Sequence, residues 1–158
     1  MSGIQSEATK RLLRDFASLQ KSTDDSVMAS PQENNLFVWD CVIFGPPNTP
    51  WEGGCFKFTM TFSEEYPRKP PTVLMETFVF HPNFYVDGRI CLDILKNQWS
   101  PANDVYSILI SIQSLLTDPN PNSPANAEAA KLFNNNREEY YAKVKECVIK
   151  SINDCNDL

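Results

Sequence analysis

The stretch from His81 to Trp99 concentrates side chains that could carry out acyl-transfer chemistry. Cys91 lies between two aliphatic residues in this stretch, and the thiolate of a cysteine is a strong nucleophile. The amide of Asn83 could donate to a developing oxyanion, while an imidazole at His81 and an acid at Asp93 stand close by in the sequence. The stretch therefore predicts either a nucleophilic site or a segment of the core.

The surroundings of Cys91 favour the nucleophilic interpretation. A free cysteine between isoleucine and leucine is commonly buried, but this one lies in irregular chain near turn residues. The carboxylate of Asp93 disfavours a thiolate, which suits a sulfur that must both hold an acyl group and leave again. His81 could serve as a general base together with Asn83. Because Pro82 restricts this turn, we instead expect His81 to tie down backbone groups.

The elements that would position this stretch form an α+β pattern. Apolar residues recur at helical spacing in four segments, at 6–21, 105–116, 125–133 and 137–152. Alternating or β-branched segments predict four strands, at 27–29, 37–44, 55–62 and 72–76. Short connections between the strands favour an antiparallel meander. Residues 77–101 have no clear period but are too apolar for disorder, which favours a packed, functional loop.

The composition fits one domain with a substantial core, because the chain has 158 residues and 42% of them are hydrophobic. Its formal net charge of −6 argues against nonspecific nucleic-acid binding, which requires clustered cations. No apolar run is long enough to span a bilayer, and the polar N-terminus lacks the apolar block of a signal peptide. We therefore expect a soluble intracellular protein.

The five cysteines are odd in number and none forms a Cys-x-x-Cys pair: Cys41, Cys55, Cys91, Cys147 and Cys155. Neither a disulfide framework nor a zinc site is predicted from this spacing. We expect free thiols, which suit a reducing compartment.

Three motifs around the cysteine resemble the core signature of ubiquitin-conjugating enzymes: His-Pro-Asn at 81–83, Gly-Arg-Ile-Cys-Leu-Asp at 88–93 and Trp-Ser-Pro at 99–101. Further stretches resemble the family at 10–12, 44–46, 66–71 and 118–126. The resemblance covers nearly the whole chain and implies a single ubiquitin-conjugating (UBC) domain over residues 1–158. Its α+β fold would have an N-terminal helix, a four-stranded antiparallel meander and then C-terminal helices.

The resemblance also implies a reaction. Cys91 would accept ubiquitin as a thioester from an activating enzyme, and a substrate lysine would then attack this thioester. Asn83 would stabilise the oxyanion or order the loop that frames it, while Asp93 and Ser123 would flank the incoming lysine. Many relatives have aspartate where Ser123 stands, so unaided transfer is expected to be slower here and more dependent on a ligase. No metal or cofactor is implied, since ATP is used by the activating enzyme.

Two protein-binding surfaces are implied in the same way. The cations of the first helix, which could otherwise be a solvated face, would meet the activating enzyme: Lys10, Arg11 and Arg14. A RING-type ligase would meet residues of two loops: Arg68, Ser100, Pro101 and Ala102. Relatives that serve many ligases often have an apolar residue at the position of Arg68. The other partners would be ubiquitin and protein substrates, with no direct contact to nucleic acid or membrane.

The amino-acid sequences of residues 121–126 and 151–155 resemble those of the postreplication-repair branch of the family. This branch implies transfer of single ubiquitin to the replication sliding clamp and a core histone, in DNA repair, damage tolerance and protein turnover, in the cytoplasm and nucleus. Two other functions stay open. A cysteine hydrolase would use Cys91 and His81 without ATP, and an inactive variant would only bind ubiquitin. The presence of Cys91 argues against the inactive variant, because such variants lack the cysteine.

Overall fold

The computed structural model describes residues 5–156 and consists of one antiparallel sheet with helices before and after it. The helices are α1 (Glu7–Lys21), α2 (Val105–Thr117), α3 (Ala127–Asn135) and α4 (Arg137–Asn156). The strands are β1 (Val27–Gln32), β2 (Asn35–Phe44), β3 (Cys55–Thr61) and β4 (Thr72–Met75). The predicted α+β class and four-stranded meander are confirmed. The first four and last two residues of the predicted domain lie outside the described residues.

The sheet has the strand order β1-β2-β3-β4, and each strand pairs with the next in the chain. Alternate residues of β2 and β3 are buried, because successive side chains of a strand point to opposite faces. The buried residues face each other in register, with Trp39 opposite Met60 and Ile43 opposite Phe56. One face of the sheet therefore forms the core.

Strand β1 is longer than predicted, since it runs on to Gln32 and includes Pro31. Proline cannot donate to a ladder, but an edge strand tolerates it. The pairing register also shifts between Pro31 and Gln32. The prediction that this strand ends near Ala29 was wrong, because Pro31 is accommodated within the strand at the edge of the sheet.

Local capping starts α1 and α2 where the sequence predicts, whereas α3 begins at Ala127, after the cap Asn126, and not at residue 125. Ser6 accepts a hydrogen bond from the backbone N–H of Thr9 at 3.1 Å, which satisfies a free donor of the first turn. At the start of α2, Asp104 and Ser107 form a reciprocal capping box. Helix α2 is central, because most of its apolar side chains are fully buried. Among residues 5–156, no helix is long and apolar enough to cross a membrane.

A buried carboxylate holds α1 to two other parts of the fold. Asp15 is only 3% exposed, and it accepts hydrogen bonds from Arg11 Nε at 3.0 Å, the Tyr66 hydroxyl at 2.6 Å and the Val105 backbone N–H at 3.3 Å. Burial and this hydrogen bond raise the pKa of Tyr66, so its hydroxyl keeps the donated proton. The network anchors α1 to the start of α2.

The guanidinium of Arg11 makes hydrogen bonds inside the fold, and its role as a contact for an activating enzyme stays a prediction. Its side chain is 10% exposed, and its two terminal nitrogens donate to the carbonyls of Pro101 at 2.9 Å and Asn103 at 2.7 Å. The sequence did not show this because Pro101 and Asn103 are about ninety residues away. The other two cations of the predicted basic face, Lys10 and Arg14, are exposed.

A disulfide joins Cys55, at the start of β3, to Cys155 in the last turn of α4. The expectation of free thiols is therefore wrong for this pair. The two cysteines are 100 residues apart in sequence, and only the packing of α4 against β3 brings them together. The neighbouring Ser151 supports the same contact, since its hydroxyl accepts from the Cys55 backbone N–H at 3.0 Å.

Replacing Asp15 with alanine should lower the free energy of unfolding by about 3 kcal/mol, because the Arg11 guanidinium loses its buried counter-charge and the Tyr66 hydroxyl its acceptor. Urea unfolding measures this change. The matched control is Asp25→Ala, which removes an exposed carboxylate and should change stability by no more than about 0.5 kcal/mol. Equal losses in the two variants would show that the buried network is not stabilising.

Candidate active site

Cys91 is positioned by an irregular hairpin within the segment that has no clear period in the sequence. Phe84 and Ile90 form an isolated antiparallel bridge, and the Cys91 backbone N–H donates to the Asn83 carbonyl at 2.8 Å. Gly88 has a φ of 102°, and a Cβ there would lie 2.5 Å from a backbone oxygen of β4. The turn therefore requires glycine, and it holds Cys91 beside the Asn83 turn.

The thiol of Cys91 lies in a groove with a volume of about 430 Å³, which we call the cysteine groove. A short 3₁₀ turn (Asp93–Leu95), α2 and the loop after α2 form its walls. Its lining residues are Asn83, Cys91, Leu92, Asp93, Ile94, Ile110, Ser111, Ser114, Leu115, Asp118, Asn120 and Ser123. The fold thus brings together the four predicted catalytic side chains, and it adds Asp118, which the sequence analysis did not single out.

Cys91 differs from the other free cysteines in its surroundings. Cys41 and Cys147 are buried, whereas Cys91 is half-buried. Burial raises the pKa of Cys41 and of Cys147, because removal from water disfavours a thiolate. Among the free thiols, Cys91 is therefore the one placed for reaction with a bound molecule.

The amide of Asn83 holds the loop that follows α2. Asn83 is 2% exposed. Its Oδ1 accepts from the Asn120 backbone N–H at 2.7 Å, and its Nδ2 donates to the Asn120 carbonyl at 2.8 Å. The distance from Nδ2 to the Ser123 carbonyl is 3.4 Å, which is long for a hydrogen bond. One N–H of this amide is therefore weakly held and remains available to a stronger acceptor.

The imidazole of His81 is fully buried and lies outside the lining of the cysteine groove. Its Nδ1 accepts from the Asn83 backbone N–H at 2.9 Å, so Nε2 carries the proton and donates to the Leu115 carbonyl at 2.6 Å. Burial lowers the pKa of His81 to about 4. Both ring nitrogens are occupied, which supports the structural role predicted for His81 and argues against His81 as the base of a Cys91 hydrolase.

The structure places a cation at the thiol that sequence reasoning did not consider. The ammonium of Lys96 lies 3.8 Å from Cys91 Sγ. The 3₁₀ turn brings it there, because it reverses the chain and ends with a hydrogen bond from the Lys96 N–H to the Asp93 carbonyl at 2.9 Å. The sequence indicated this contact only through the short separation of Lys96 from Cys91, which is five residues.

The predicted ligase surface is continuous in space. The indole N–H of Trp99 donates to the Pro67 carbonyl at 2.8 Å, and this bond joins the two loops that carry the surface. All of its predicted residues are exposed: Arg68, Ser100, Pro101 and Ala102.

Within residues 5–156, no three His, Cys, Asp or Glu side chains group together as a metal ion would require.

Known proteins resemble this chain over most of its length. The model of the family described as "Ubiquitin-conjugating enzyme" matches residues 11–148. "Ubiquitin-conjugating enzyme E2 3" of Arabidopsis thaliana is 58% identical over 144 residues, which cover 91% of this chain and 96% of that relative. "Ubiquitin-conjugating enzyme E2 1" of Caenorhabditis elegans is 54% identical over 142 residues, which cover 90% of this chain and 74% of that relative.

The single histidine of the chain allows a direct test of its burial. Since the pKa of His81 in the folded state is about 4 and the ordinary value is near 6.5, the unfolded chain binds more protons between these values. The contribution of the neutral His81 to the free energy of unfolding should therefore be fully present above pH 6.5. It should decrease by about 3 kcal/mol as the pH falls towards 4. NMR of the imidazole measures the midpoint, and urea unfolding measures the loss.

In His81→Gln, which has no imidazole, this part of the pH dependence should disappear. A titration midpoint near 6.5 in the folded wild-type protein would contradict the buried, neutral histidine.

Proposed function

Because the chain belongs to the ubiquitin-conjugating enzyme family, we propose that Cys91 accepts the carboxyl terminus of ubiquitin as a thioester and that a substrate lysine then receives it. The observation that carries this proposal is the half-buried thiol in the cysteine groove. The groove has a volume of about 430 Å³ beside this thiol, which leaves room for the end of an extended carboxyl-terminal tail. The buried, bonded His81 disfavours a hydrolase, and the presence of Cys91 disfavours an inactive variant.

The reaction consists of two acyl transfers. In the first, the Cys91 thiolate attacks the thioester carbonyl of ubiquitin on the activating enzyme, and the thiolate of that enzyme leaves. In the second, a lysine amine attacks the new thioester, the Cys91 thiolate leaves, and the amine loses its proton. ATP is consumed by the activating enzyme, and these steps at Cys91 need neither a metal nor a cofactor.

Asn83 has two tasks in this proposal. Its hydrogen bonds with Asn120 order the loop that carries Ser123, so the wall of the groove is in place before ubiquitin arrives. Its weakly held N–H then donates to the oxyanion of the tetrahedral intermediate, where a fixed donor lowers the barrier. The two tasks are compatible because Nδ2 has two hydrogens, of which one is donated to the Asn120 carbonyl and the other is only weakly held.

The acceptor side of the groove has fewer charges than in many relatives. Asp93 supplies an exposed carboxylate, while Ser123 is exposed and neutral. We propose that Asp93 and Ser123 position the incoming lysine, and that the missing charge at Ser123 makes unaided transfer slow. A bound ligase would then supply much of the rate.

Membership of the family implies three kinds of partner in general: ubiquitin, an activating enzyme and a ligase. We propose that the exposed Lys10 and Arg14 contact the activating enzyme, since cations favour an acidic partner. For a RING-type ligase we propose the exposed surface of Arg68 and residues 100–102. Protein substrates complete the set, and the net charge of −6 supports the proposal of no direct nucleic-acid contact.

For the pathway, we propose the postreplication-repair branch, with modification of the sliding clamp and a core histone, and a further role in protein turnover. This proposal is supported by the resemblance of residues 121–126 and 151–155 to the sequences of that branch. This assignment places the protein in the cytoplasm and nucleus. The names of the two relatives contain no term for repair, so the branch rests on these residues.

Incubation with ubiquitin, an activating enzyme and ATP should produce an adduct on the wild-type protein that thiol reagents cleave. Cys91→Ala should form none, and Cys91→Ser should form an adduct that resists thiols, because an oxygen ester replaces the thioester. Gel shift and intact mass measure both. The control Cys41→Ala removes a buried thiol and should keep the cleavable adduct. A wild-type chain that stays uncharged would overturn the proposal.

Asn83→Ala should slow transfer from the charged enzyme to free lysine by about 100-fold, with little effect on charging. It should also speed hydrogen exchange at the Asn120 amide, which loses its acceptor. The control Asn122→Ala removes an exposed amide in the same loop and should change neither rate.

Asn83→Asp separates the acceptor of this amide from its donors, because it keeps an oxygen for the Asn120 backbone N–H but removes both N–H groups, including the one donated to the Asn120 carbonyl. Slow transfer with normal protection of the Asn120 amide is expected. Normal transfer by this variant would exclude the oxyanion role.

A further inference from the structure

We infer that the Cys55–Cys155 disulfide is a reversible redox lock, which small thiols open and small-molecule disulfides close. Its state sets how firmly the last turn of α4 is held to the sheet. The bond joins the first residue of β3 to the last turn of α4. The inference concerns the fold and goes beyond the transfer reaction proposed for Cys91.

The disulfide holds a part of α4 that has few other contacts. The buried residues of this helix lie between Tyr140 and Ser151, and none of residues 152–156 is buried. Ile152 packs against the core from a half-buried position. The last turn should therefore separate from β3 when the disulfide opens, while the earlier turns stay packed.

The fold also accommodates the reduced cysteines. Cys155 Sγ lies 3.6 Å from the Cys55 carbonyl oxygen, within reach of the weak S–H donor that forms when the bond opens. The hydrogen bond from the Cys55 backbone N–H to the Ser151 hydroxyl at 3.0 Å involves neither sulfur. Opening the disulfide therefore breaks no backbone hydrogen bond, and the reduced chain keeps its fold.

Small thiols reach the disulfide from the side of the helix. Both cysteines are half-buried, but Cys155 lies between the exposed Asp154 and Asn156, whereas the chain neighbours of Cys55 are buried. A small thiolate attacks Cys155 Sγ, a mixed disulfide forms, and the electron pair of the broken bond leaves on Cys55 Sγ.

A second small thiolate completes the reduction. It attacks the small-molecule sulfur of the mixed disulfide, and Cys155 Sγ leaves as a thiolate. The products are two protein thiols, which take up the protons that the small thiols lose, and one small-molecule disulfide. The reverse reaction, with that disulfide as the oxidant, closes the lock.

The location proposed above favours a reversible bond, and this step of the argument rests on that proposal. Small thiols of the cytoplasm and nucleus keep most cysteines reduced, and the disulfides found there are usually transient and serve catalysis or redox sensing. Neither Cys55 nor Cys155 lines the cysteine groove. The pair therefore has the position of a redox-sensing bond and not of a catalytic one.

The first test equilibrates the Cys91→Ala chain, whose groove thiol cannot take part in exchange, with glutathione buffers from oxidised to reduced. Alkylation of free thiols and peptide mass spectrometry measure the closed fraction. The Cys55–Cys155 link should open in reduced glutathione and close again in oxidised glutathione. A bond that stays closed in excess reduced glutathione, or cysteines that never pair in the oxidised buffer, would overturn the inference.

The second test measures what opening does to the fold. The midpoint of thermal unfolding should fall by about 10 °C on reduction, because the bond closes a long loop in the unfolded chain. Hydrogen exchange at the amides of residues 152–156 should become at least about tenfold faster, while exchange in α2 stays unchanged. A lock that does not hold the helix would leave both the midpoint and the exchange rates unaltered.

Matched variants assign these effects to the bond. Cys55→Ser and Cys155→Ser should each melt like the reduced wild type, and the double variant should melt no lower, because the same bond is lost. Ser151→Ala removes the neighbouring acceptor but neither sulfur, so it should lower the midpoint equally in both buffers.

A Cys55→Ser chain whose melting still depends on glutathione would assign the redox effect to another thiol and overturn the lock. These measurements need neither ubiquitin nor an activating enzyme. Their outcome is therefore independent of the charging test at Cys91.

Discussion

The cysteine groove depends on one buried turn, at His81 to Asn83, that connects three parts of the chain. The imidazole of His81 donates to the last turn of α2 through the Leu115 carbonyl, and the amide of Asn83 binds Asn120 in the following loop. The Asn83 carbonyl also accepts from the Cys91 backbone N–H. These groups are buried, so each bond would be costly to leave unmade. The turn therefore sets the distance between the thiol and the opposite wall of the groove.

A second polar network orders the surfaces to which partners would bind. Asp15 and Arg11 join α1 to the loop at Pro101, and the Trp99 indole joins that loop to Pro67. The exposed cations of α1 and the exposed loop residues 100–102 are thus parts of one connected structure. A single buried carboxylate, Asp15, supports both surfaces, because its bonds hold the helix and the start of α2 in place.

Charged side chains of both signs lie near the thiol of Cys91. Sequence reasoning weighed the acid at Asp93 but not Lys96, which the 3₁₀ turn brings to 3.8 Å from the sulfur. The neutral Ser123 also lines the groove. The groove thus has an amine close to the sulfur and two carboxylates, Asp93 and Asp118, in its lining.

The sequence by itself determined the helices, most strand boundaries, the caps at Ser6 and Asp104, and the grouping of Cys91 with Asn83. These are local properties, since hydrophobic period and capping act over a few residues. Only the tertiary structure decided the internal use of Arg11, the Cys55–Cys155 disulfide and the loop partner of Asn83. Each of these joins residues 37 to 100 positions apart, and such contacts depend on how complete elements pack, for which no short stretch of sequence carries a signal.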